Sequence, residues 1–269
     1  MTFPERFLAI DWSGARSASH QRKHIWIANA SDEVELSAGL TRDQLCSKLI
    51  KEFSNEPAVI GLDFAFSLPA SFLSQSAFGT VHDLWRATAI HGEEWLRACN
   101  PPFWGRPGKK CPSTHSQEGF RKTDREISVN GIAPKSPFQI GGAGAVGTGS
   151  IRGMPILDAL HQAGFSIWPF DPPGLPMVVE IYPRLLTGEV TKSSPVERAR
   201  YLRRYEFYRL QTGLIDSAEA SEDAFDALIS ALKMREHANS LAQLQQAHDA
   251  DERLEGRIWS PPLRSGTVL

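Results

Sequence analysis

Apolar runs of strand length alternate with polar turns through the first 65 residues. Three short runs precede an amphipathic helix, and a fourth run is apolar throughout, as in strands that are covered on both faces. The four predicted strands are residues 7–10, 24–28, 34–37 and 58–64. Thr41 and Gln44 form a capping-box pattern at the start of the helix, which we expect to extend to Phe53. The predicted order is therefore β-β-β-α-β, with short polar turns between the first three strands.

The periodic pattern weakens between about residues 70 and 150. We expect one helix within 78–99, then irregular chain through a Pro-, Gly- and Lys-rich stretch, and a glycine-rich loop at 139–153. Regular elements then return, and they are predicted as a helix at 154–163, strands at 165–170 and 177–182, a helix from 194 to about 212 and a last helix from 221. We therefore predict a single domain over 1–269, in which 70–150 is an insertion or lid over a site.

Composition places the chain among ordinary folded proteins, with 41% hydrophobic and 22% charged residues in 269. No apolar stretch approaches the roughly 20 residues of a membrane-spanning helix, and the amino-terminal residues do not resemble a secretory signal. The three cysteines, Cys46, Cys99 and Cys111, are odd in number and scattered, which favours reduced thiols. We therefore expect a cytoplasmic protein that does not enter a membrane. The sequence does not indicate an oligomeric state.

Charge is unevenly distributed along the chain. Residues 101–135 contain seven basic and three acidic residues, whereas the whole chain has a net charge of −2. A local excess of positive charge is typical of a surface that holds an anionic ligand, although a solvated loop would show the same pattern. The predicted substrate contacts in this segment are Arg106, Lys109, Lys110, Arg121 and Lys122. The aromatic residues Phe103 and Trp104 could stack on bases or simply pack locally.

Acidic residues end three of the apolar runs. Asp11 follows "LAI", Asp63 follows "VIGL", and Glu180 lies in "MVVEIYP". A buried carboxylate without a partner costs several kcal/mol, so a fold retains one only where a cation, backbone donors or solvent meet it. Asp11 and Asp63 are expected at the carboxyl ends of neighbouring strands, where open α/β sheets bind ligands. The alternative is that each one caps a turn or a helix.

Two further acidic residues share one face of the last predicted helix. Asp223 and Asp226 are three residues apart in "SEDAFDAL", so their carboxylates repel unless a cation lies between them. An acidic first turn that complements the helix dipole is the alternative. Carboxylates that converge from two strands and a late helix are typical ligands of Mg²⁺ or Mn²⁺. Such ions activate water and stabilise the leaving oxygen in phosphodiester hydrolysis.

The order of these motifs resembles the ribonuclease-H-like fold, and within it the Holliday-junction-resolvase branch. The matching segments are Asp11 on the first strand, Asp63 after the fourth, "EIYPR" at 180–184 and "DAFDAL" at 223–228. Together with "FRKTDRE" at 120–126 and "FWG" at 103–105, the set looks like the family catalogued as domain of unknown function four-two-nine, described as predicted ribonuclease-H-like nucleases. The resemblance extends over roughly 7–260.

The resemblance implies an α/β fold with a mixed five-stranded sheet flanked by helices and a long insertion after the fourth strand. It also implies a metal-dependent nuclease in which Mg²⁺ or Mn²⁺ is held by Asp11, Asp63, Asp223 and Asp226. Glu180 is then a further catalytic acid, a residue near the ligands, or a partner for Arg184 or the basic insertion. Arg184 joins the expected substrate contacts, and nucleic acid is the expected partner. The resolvase branch has glutamate at the place of Asp63, so the ligand here is shorter by one methylene.

Three other interpretations fit parts of the pattern. Actin-like ATPases and sugar kinases also place an aspartate and a Gly/Ser turn after their first strand, and the glycine-rich loop could approach a nucleotide. The carboxylates could instead be remnants in an inactive protein whose basic segment binds nucleic acid or a partner. A zinc site at Cys99, Cys111 and His115 has a spacing that matches no standard finger and lacks a fourth ligand.

Overall fold

A mixed β-sheet of six strands lies at the centre of the computed structural model, which describes residues 3–113, 118–208 and 210–262. The strand order is β3-β2-β1-β4-β6-β5. Strands β1, β2 and β3 pair antiparallel, and β1, β4, β6 and β5 pair parallel. The bounds are β1 Arg6–Asp11, β2 Trp26–Ala30, β3 Val34–Ala38, β4 Ala58–Leu62, β5 Ser166–Ile167 and β6 Met177–Glu180.

The α/β class and the mixed sheet flanked by helices are confirmed. The count of five strands that the resemblance implies is wrong, whereas each of the six apolar runs predicted as strands overlaps a strand of the sheet. The sixth strand is β5, which lies at the edge and pairs with β6 for only two residues. The apolar run 165–170 that predicted a longer strand turns away after Ile167, because the backbone N–H groups of Phe170 and Asp171 donate to the Ile167 carbonyl.

Helices cover both faces of the sheet. Their bounds are α1 Ala18–His24, α2 Arg42–Phe53, α3 Ala70–Gln75, α4 Val81–Ala98, α5 Lys122–Glu126, α6 Gly147–Gln162, α7 Pro183–Thr187, α8 Pro195–Leu202, α9 Thr212–Ala220, α10 Glu222–Glu236, α11 Ala238–Ala242 and α12 Ala250–Glu255, with a 3₁₀ helix at Arg203–Tyr208. Among the described residues, none of these helices combines the length and apolar character that a membrane crossing requires.

Alternating residues of β1 divide the core into two layers. Leu8 and Ile10 face a layer that contains buried side chains of α2, α4 and α6. Phe7 and Ala9 face the opposite layer, which is built mainly on the buried face of α10. Both layers are closed, so the strand ends rather than the sheet faces are left to form a site.

Three predicted stretches differ from the structure. The link between β1 and β2 contains helix α1 instead of a short turn, and its polar sequence lacks the apolar period that identifies a helix. Helix α6 begins at Gly147, inside the stretch that was expected to be a glycine-rich loop. The expected helix from 194 to about 212 ends at Leu202, and a 3₁₀ turn and helix α9 follow.

The segment predicted as an insertion also contributes to the core. Trp85 of α4, Phe103 and Phe138 are buried in the layer shared with α2 and α6. The indole Nε1 of Trp85 donates to the Phe66 carbonyl at 2.7 Å, which ties the segment to the chain that follows β4. Residues 70–150 are therefore part of the body of the fold as well as a wall of the cleft described below.

Candidate functional site

Asp11 and Asp63 lie side by side at the carboxyl ends of adjacent parallel strands. Asp11 is the last residue of β1, and Asp63 follows directly after β4. The strands are in register through Ile10 and Leu62, and the Asp63 backbone N–H donates to the Ile10 carbonyl at 3.1 Å. The expectation that these two acidic residues meet at one edge of the sheet is therefore confirmed.

Helix α10 brings two more carboxylates to the same edge. Ser221 caps the helix, with its side chain accepting a hydrogen bond from the Ala224 N–H, and this cap fixes where the first turn begins. Asp226 is 7% exposed, whereas the side chain of Asp223 is 33% exposed. Because α10 packs across β1 and β2, its first turns lie next to the end of β1.

A lysine that sequence analysis did not single out supplies positive charge to this cluster. The ammonium group of Lys192 donates to Oδ2 of Asp226. Its positive charge also opposes the rise that burial causes in the pKa of Asp11 and of Asp63, so it lies close to all three carboxylates. Lys192 lies in the polar segment between α7 and α8, where no periodic pattern distinguishes it from a surface lysine.

Two arginines hold the segment that carries Lys192. Nη1 of Arg184 donates to the carbonyls of Gly188 at 3.0 Å and Val190 at 2.8 Å. The buried Arg198 donates to the carbonyl of Lys192 itself. Arg184 was predicted to contact substrate, and the structure instead uses one of its amino groups to shape this turn.

Burial of several carboxylates close to one another is the main electrostatic feature of the site. Burial, with the charges of Asp63 and Asp226, raises the pKa of Asp11 well above its usual range. Burial, with Asp226, raises the pKa of Asp63 to about 8. Burial also raises the pKa of Asp226, against the opposing effect of Lys192. A single ammonium group is therefore insufficient compensation for the cluster, and an added cation would favour the ionised forms.

The donor set fits a hard divalent cation. Oδ1 of Asp226 is buried and has no hydrogen-bond partner, although its other oxygen is bound by Lys192. Among the described residues, no three of the four aspartates place ligand oxygens that all lie within 4.8 Å of one another. Side-chain rotation is therefore needed before Asp11, Asp63 and Asp226 share one ion, and displacement of Lys192 from Asp226 would free a ligand oxygen.

Asp223 has a different partner from its neighbour on α10. Its Oδ2 lies 2.8 Å from Nδ1 of His24, the last residue of α1. The ring of His24 stacks on that of His20 at a centroid distance of 5.7 Å. Sequence analysis placed His24 in a strand, so this contact was not anticipated. Whether Asp223 ligates metal directly stays a prediction.

Glu180 is bound by the basic segment rather than directed at the carboxylate cluster. Its Oε1 and Oε2 accept hydrogen bonds from Arg121 at 2.6 and 2.7 Å, and Oε2 also accepts from the Phe66 N–H at 2.9 Å. Of the roles considered for Glu180, the structure therefore favours a partner for the insertion. Its negative charge still contributes to raising the pKa of Asp63.

Arg121 is 1% exposed, which corrects the prediction that it contacts substrate. Besides Glu180, its guanidinium donates to Asp124 from Nε at 3.0 Å and Nη2 at 2.8 Å. Burial disfavours the charged form, but Asp124 and Glu180 outweigh it and raise the pKa of Arg121 well above its usual value. This buried ion pair anchors the 121–126 segment to the end of β6.

The remaining basic residues of the segment are on the surface. Arg106, Lys109 and Lys110 are exposed, as a contact to a polyanion requires. Lys122 is 40% exposed and lies 3.9 Å from both Asp249 and Glu252, so its charge is partly compensated. The described part of the segment thus retains three exposed cations among the five predicted contacts.

A cleft of about 440 Å³ opens beside Asp63. Trp12, Phe64 and Tyr182 contribute aromatic surface to it, and the rings of Trp12 and Phe64 lie 4.7 Å apart. Lys135 lines the same cleft. Burial raises the pKa of the Tyr182 hydroxyl, with a further contribution from Asp63. A planar group and an anionic group would therefore both find partners next to the carboxylates.

Protein atoms fill the space next to several glycines of the glycine-rich stretch. A Cβ atom at Gly153 would lie 2.5 Å from the Phe64 ring, and one at Gly147 would overlap the Pro137 carbonyl. Trp12 Nε1 donates to the Gly149 carbonyl at 3.1 Å, so the turn after Asp11 packs directly on α6. These glycines are explained by close packing, without a bound nucleotide.

The two cysteines of the alternative zinc interpretation differ in their exposure to solvent. Cys99 is buried and Cys111 is exposed, and His115 lies outside the described residues.

Comparison with known proteins adds no identification at this point. Neither a protein-family model, nor a curated protein, nor a solved structure matches the chain.

Proposed function

We propose that the chain is a metal-dependent phosphodiesterase of the nuclease type, acting through a carboxylate cluster formed by Asp11, Asp63 and Asp226. The observation that carries the proposal is the accumulation of these three side chains at the ends of β1 and β4 and on α10. Burial and neighbouring carboxylates raise the pKa of Asp11 and of Asp63, and one oxygen of Asp226 is buried without a partner. A fold that keeps such an arrangement gains most from a bound divalent cation.

Asp11, Asp63 and Asp226 would hold Mg²⁺ or Mn²⁺, since hard ions prefer carboxylate oxygens. The chemistry that such an ion supplies is activation of a water and stabilisation of the leaving oxygen. Lys192 neutralises part of the cluster and remains available to a phosphate oxygen once it leaves Asp226. His24, whose Nδ1 lies beside Oδ2 of Asp223, is at the same edge of the sheet, and we assign it a part in proton transfer.

The surroundings support a nucleic-acid substrate. Aromatic rings of Trp12, Phe64 and Tyr182 line the cleft beside Asp63, and such rings stack on bases. Exposed Arg106, Lys109 and Lys110 supply positive charge on the same polypeptide segment that Arg121 anchors beside the cleft. The order of motifs that resembles ribonuclease-H-like nucleases agrees with this assignment.

The decisive experiment combines metal-dependent stability with cleavage of labelled oligonucleotides. We expect Mn²⁺ to raise the melting temperature of the parent protein, because a ligand stabilises the state that binds it. Asp11→Asn should remove that rise and abolish cleavage while leaving the metal-free protein as stable as before, or more so. Asp251→Asn, in the first turn of α12, is the matched control and should behave like the parent.

Other outcomes separate the competing functions. A rise in melting temperature with ATP but not with Mn²⁺ alone would support a nucleotide-dependent phosphotransferase. Binding of oligonucleotide without any response to millimolar Mn²⁺ would support an inactive binding protein. Either result would contradict the nuclease proposal.

A further inference from the structure

Two histidines and an aspartate converge at a place that the proposed function does not use. His82 belongs to the first turn of α4, His161 to the last turn of α6, and Asp171 follows β5. Among the described residues, they form the one group of three whose candidate ligand atoms all lie within 4.8 Å of one another. None of the three lies on the elements that carry Asp11, Asp63 or Asp226.

Each imidazole nitrogen of the group lies close to an oxygen of the Asp171 carboxylate. Nε2 of His82 lies 3.3 Å from Oδ1 of Asp171, and Nδ1 of His161 lies 3.0 Å from Oδ2. Two ligands that are each about 2.0–2.1 Å from a tetrahedral ion are separated by roughly 3.3 Å. The two imidazole rings are themselves in contact, with centroids 4.3 Å apart. Small rotations of the side chains are therefore enough to enclose an ion.

The hydrogen bonding of the group is incomplete without an ion. Nε2 of His82 is buried and does not form a hydrogen bond of acceptable geometry, although Oδ1 of Asp171 is its neighbour. Oδ2 of Asp171, by contrast, accepts from the Ile167 N–H at 2.8 Å. That backbone contact orients the carboxylate from behind, as outer partners do for metal ligands. One carboxylate oxygen and two imidazole nitrogens thus lie within 4.8 Å of one another.

We propose that His82, His161 and Asp171 form a binding site for one divalent ion of the class that imidazole prefers, such as Zn²⁺, Co²⁺ or Ni²⁺. Two imidazoles and one carboxylate make a borderline ligand set, distinct from the all-carboxylate cluster that suits Mg²⁺ or Mn²⁺. Three protein ligands leave one position of a tetrahedral ion for water or another small ligand. The side chain of His161 is 40% exposed and that of His82 is 23% exposed, so an ion can enter from solvent.

Calorimetric titration of the untagged 269-residue chain with Zn²⁺ tests the site. The background should carry Cys111→Ser, since the exposed thiol is an alternative ligand, and millimolar Mg²⁺ should be present to occupy the carboxylate cluster. We expect one Zn²⁺ per chain in the micromolar range. His161→Ala should weaken binding by at least about tenfold, because even loss of an outer partner costs roughly 10–100-fold.

Two controls make the result specific. His91→Ala removes an exposed histidine elsewhere on α4 and should leave the affinity unchanged. The double variant Asp11→Asn, Asp226→Asn should also leave it unchanged, so failure of this site and failure of the nuclease proposal are distinguishable. Absence of binding at 0.1 mM Zn²⁺, roughly a hundredfold above the micromolar range, would overturn the proposal. So would binding that survives both His161→Ala and His82→Ala.

A second measurement does not depend on the variants being folded. X-ray absorption of the parent protein with one equivalent of Zn²⁺ should show nitrogen and oxygen neighbours at about 2.0–2.1 Å, with the outer-shell pattern of two imidazoles. A shell at about 2.3 Å would instead reveal thiolate sulfur and contradict the assignment.

Discussion

At the scale of single residues, the burial of Arg121 predicts a large effect of its replacement on the free energy of unfolding. Its replacement by alanine would leave the carboxylates of Asp124 and Glu180 buried without a cation. Breaking a buried ion pair from one side costs about 3–5 kcal/mol, so Arg121→Ala should lower the free energy of unfolding by that amount. Urea unfolding followed by circular dichroism measures the change.

Lys122→Ala is the matched control, one position along the chain. Because Lys122 is 40% exposed and its partners lie 3.9 Å away, its loss should cost about 0–1 kcal/mol. If Arg121→Ala were as stable as the parent and lost oligonucleotide affinity instead, the sequence-based assignment of Arg121 as a phosphate contact would be correct after all.

The raised pKa of Asp63 predicts an unusual pH dependence of the stability of the metal-free protein. Its pKa is about 8 in the folded chain, whereas an unfolded aspartate ionises near 3.8. The folded state therefore holds a proton that the unfolded state releases, so stability is highest below pH 4 for this group and falls as pH rises towards 8. The slope for one such group is at most about 1.4 kcal/mol per pH unit.

Melting temperatures in the presence of a chelator, between pH 5 and 8.5, measure this slope. Asp63→Asn should flatten it, because the amide does not ionise, whereas Asp251→Asn should not. Saturating Mn²⁺ should reverse the trend in the parent, because the ion favours the ionised carboxylates. A parent protein that becomes steadily more stable up to pH 8.5 in chelator would contradict the clustering of Asp63 with Asp226.

At the scale of helices and strands, the docking of α6 against the end of β1 depends on one glycine pair. A Cβ atom at Gly14 would lie 2.6 Å from the Gly149 backbone nitrogen, so Gly14→Ala must push the helix away. Overpacking of this kind costs typically 1–3 kcal/mol. A Cβ atom at Gly149 would meet Trp12 at an ordinary 3.5 Å, and alanine favours the helix by about 0.5–1 kcal/mol. Gly149→Ala should therefore be neutral or stabilising.

Chemical denaturation of both alanine variants tests this contact from its two sides. Equal destabilisation by the two substitutions would show that the packing of α6 is not controlled by the approach of Gly14. Since the turn at Gly14 follows Asp11 and Trp12, Gly14→Ala should also weaken Mn²⁺ binding, whereas Gly149→Ala should not.

Local patterns in the sequence predicted where helices begin, but they did not predict contacts between residues that are distant along the chain. The capping box of Thr41 and Gln44 and the cap at Ser221 are local patterns, and both helices begin where they indicate. The positions of Asp11 and Asp63 followed from parallel strands that end at one edge. Lys192 and His24 join the site over separations of 34 and 199 residues, through loops or helix ends without periodicity.

The basic residues of one segment differ in burial, and composition alone does not predict this difference. Arg121 and Lys109 both belong to one basic segment, yet only Arg121 has carboxylates placed to receive it in the interior. In the same way, glycines at 147 and 153 belong to the stretch that was predicted as a loop and that could have approached a nucleotide. In the fold they admit neighbouring backbone and the Phe64 ring.

At the scale of the whole molecule, the chain has a net charge of −2, so any affinity for a polyanion must come from local positive surface. Arg106, Lys109 and Lys110 are the exposed part of the basic segment. If each neutralises one phosphate, the triple alanine variant should weaken oligonucleotide binding across sequences. It should also flatten the slope of log affinity against log salt by about two units for single strands, and by nearly three for duplex.

Fluorescence anisotropy with labelled oligonucleotides at several salt concentrations, with Ca²⁺ in place of Mg²⁺ to suppress cleavage, measures the slope. Alanine at Lys51, Arg86 and Arg200 removes three exposed cations from α2, α4 and α8 and is the control for net charge, which both variants change equally. Because non-specific attraction depends on net charge while contacts depend on position, only the first variant should lose about two units of slope. An equal loss in both would indicate long-range attraction without a defined path for the strand. If the affinity of the parent did not change with salt, the substrate of the carboxylate cluster would instead be a small phosphate ester. A substrate that is held by one or two charges releases few counterions.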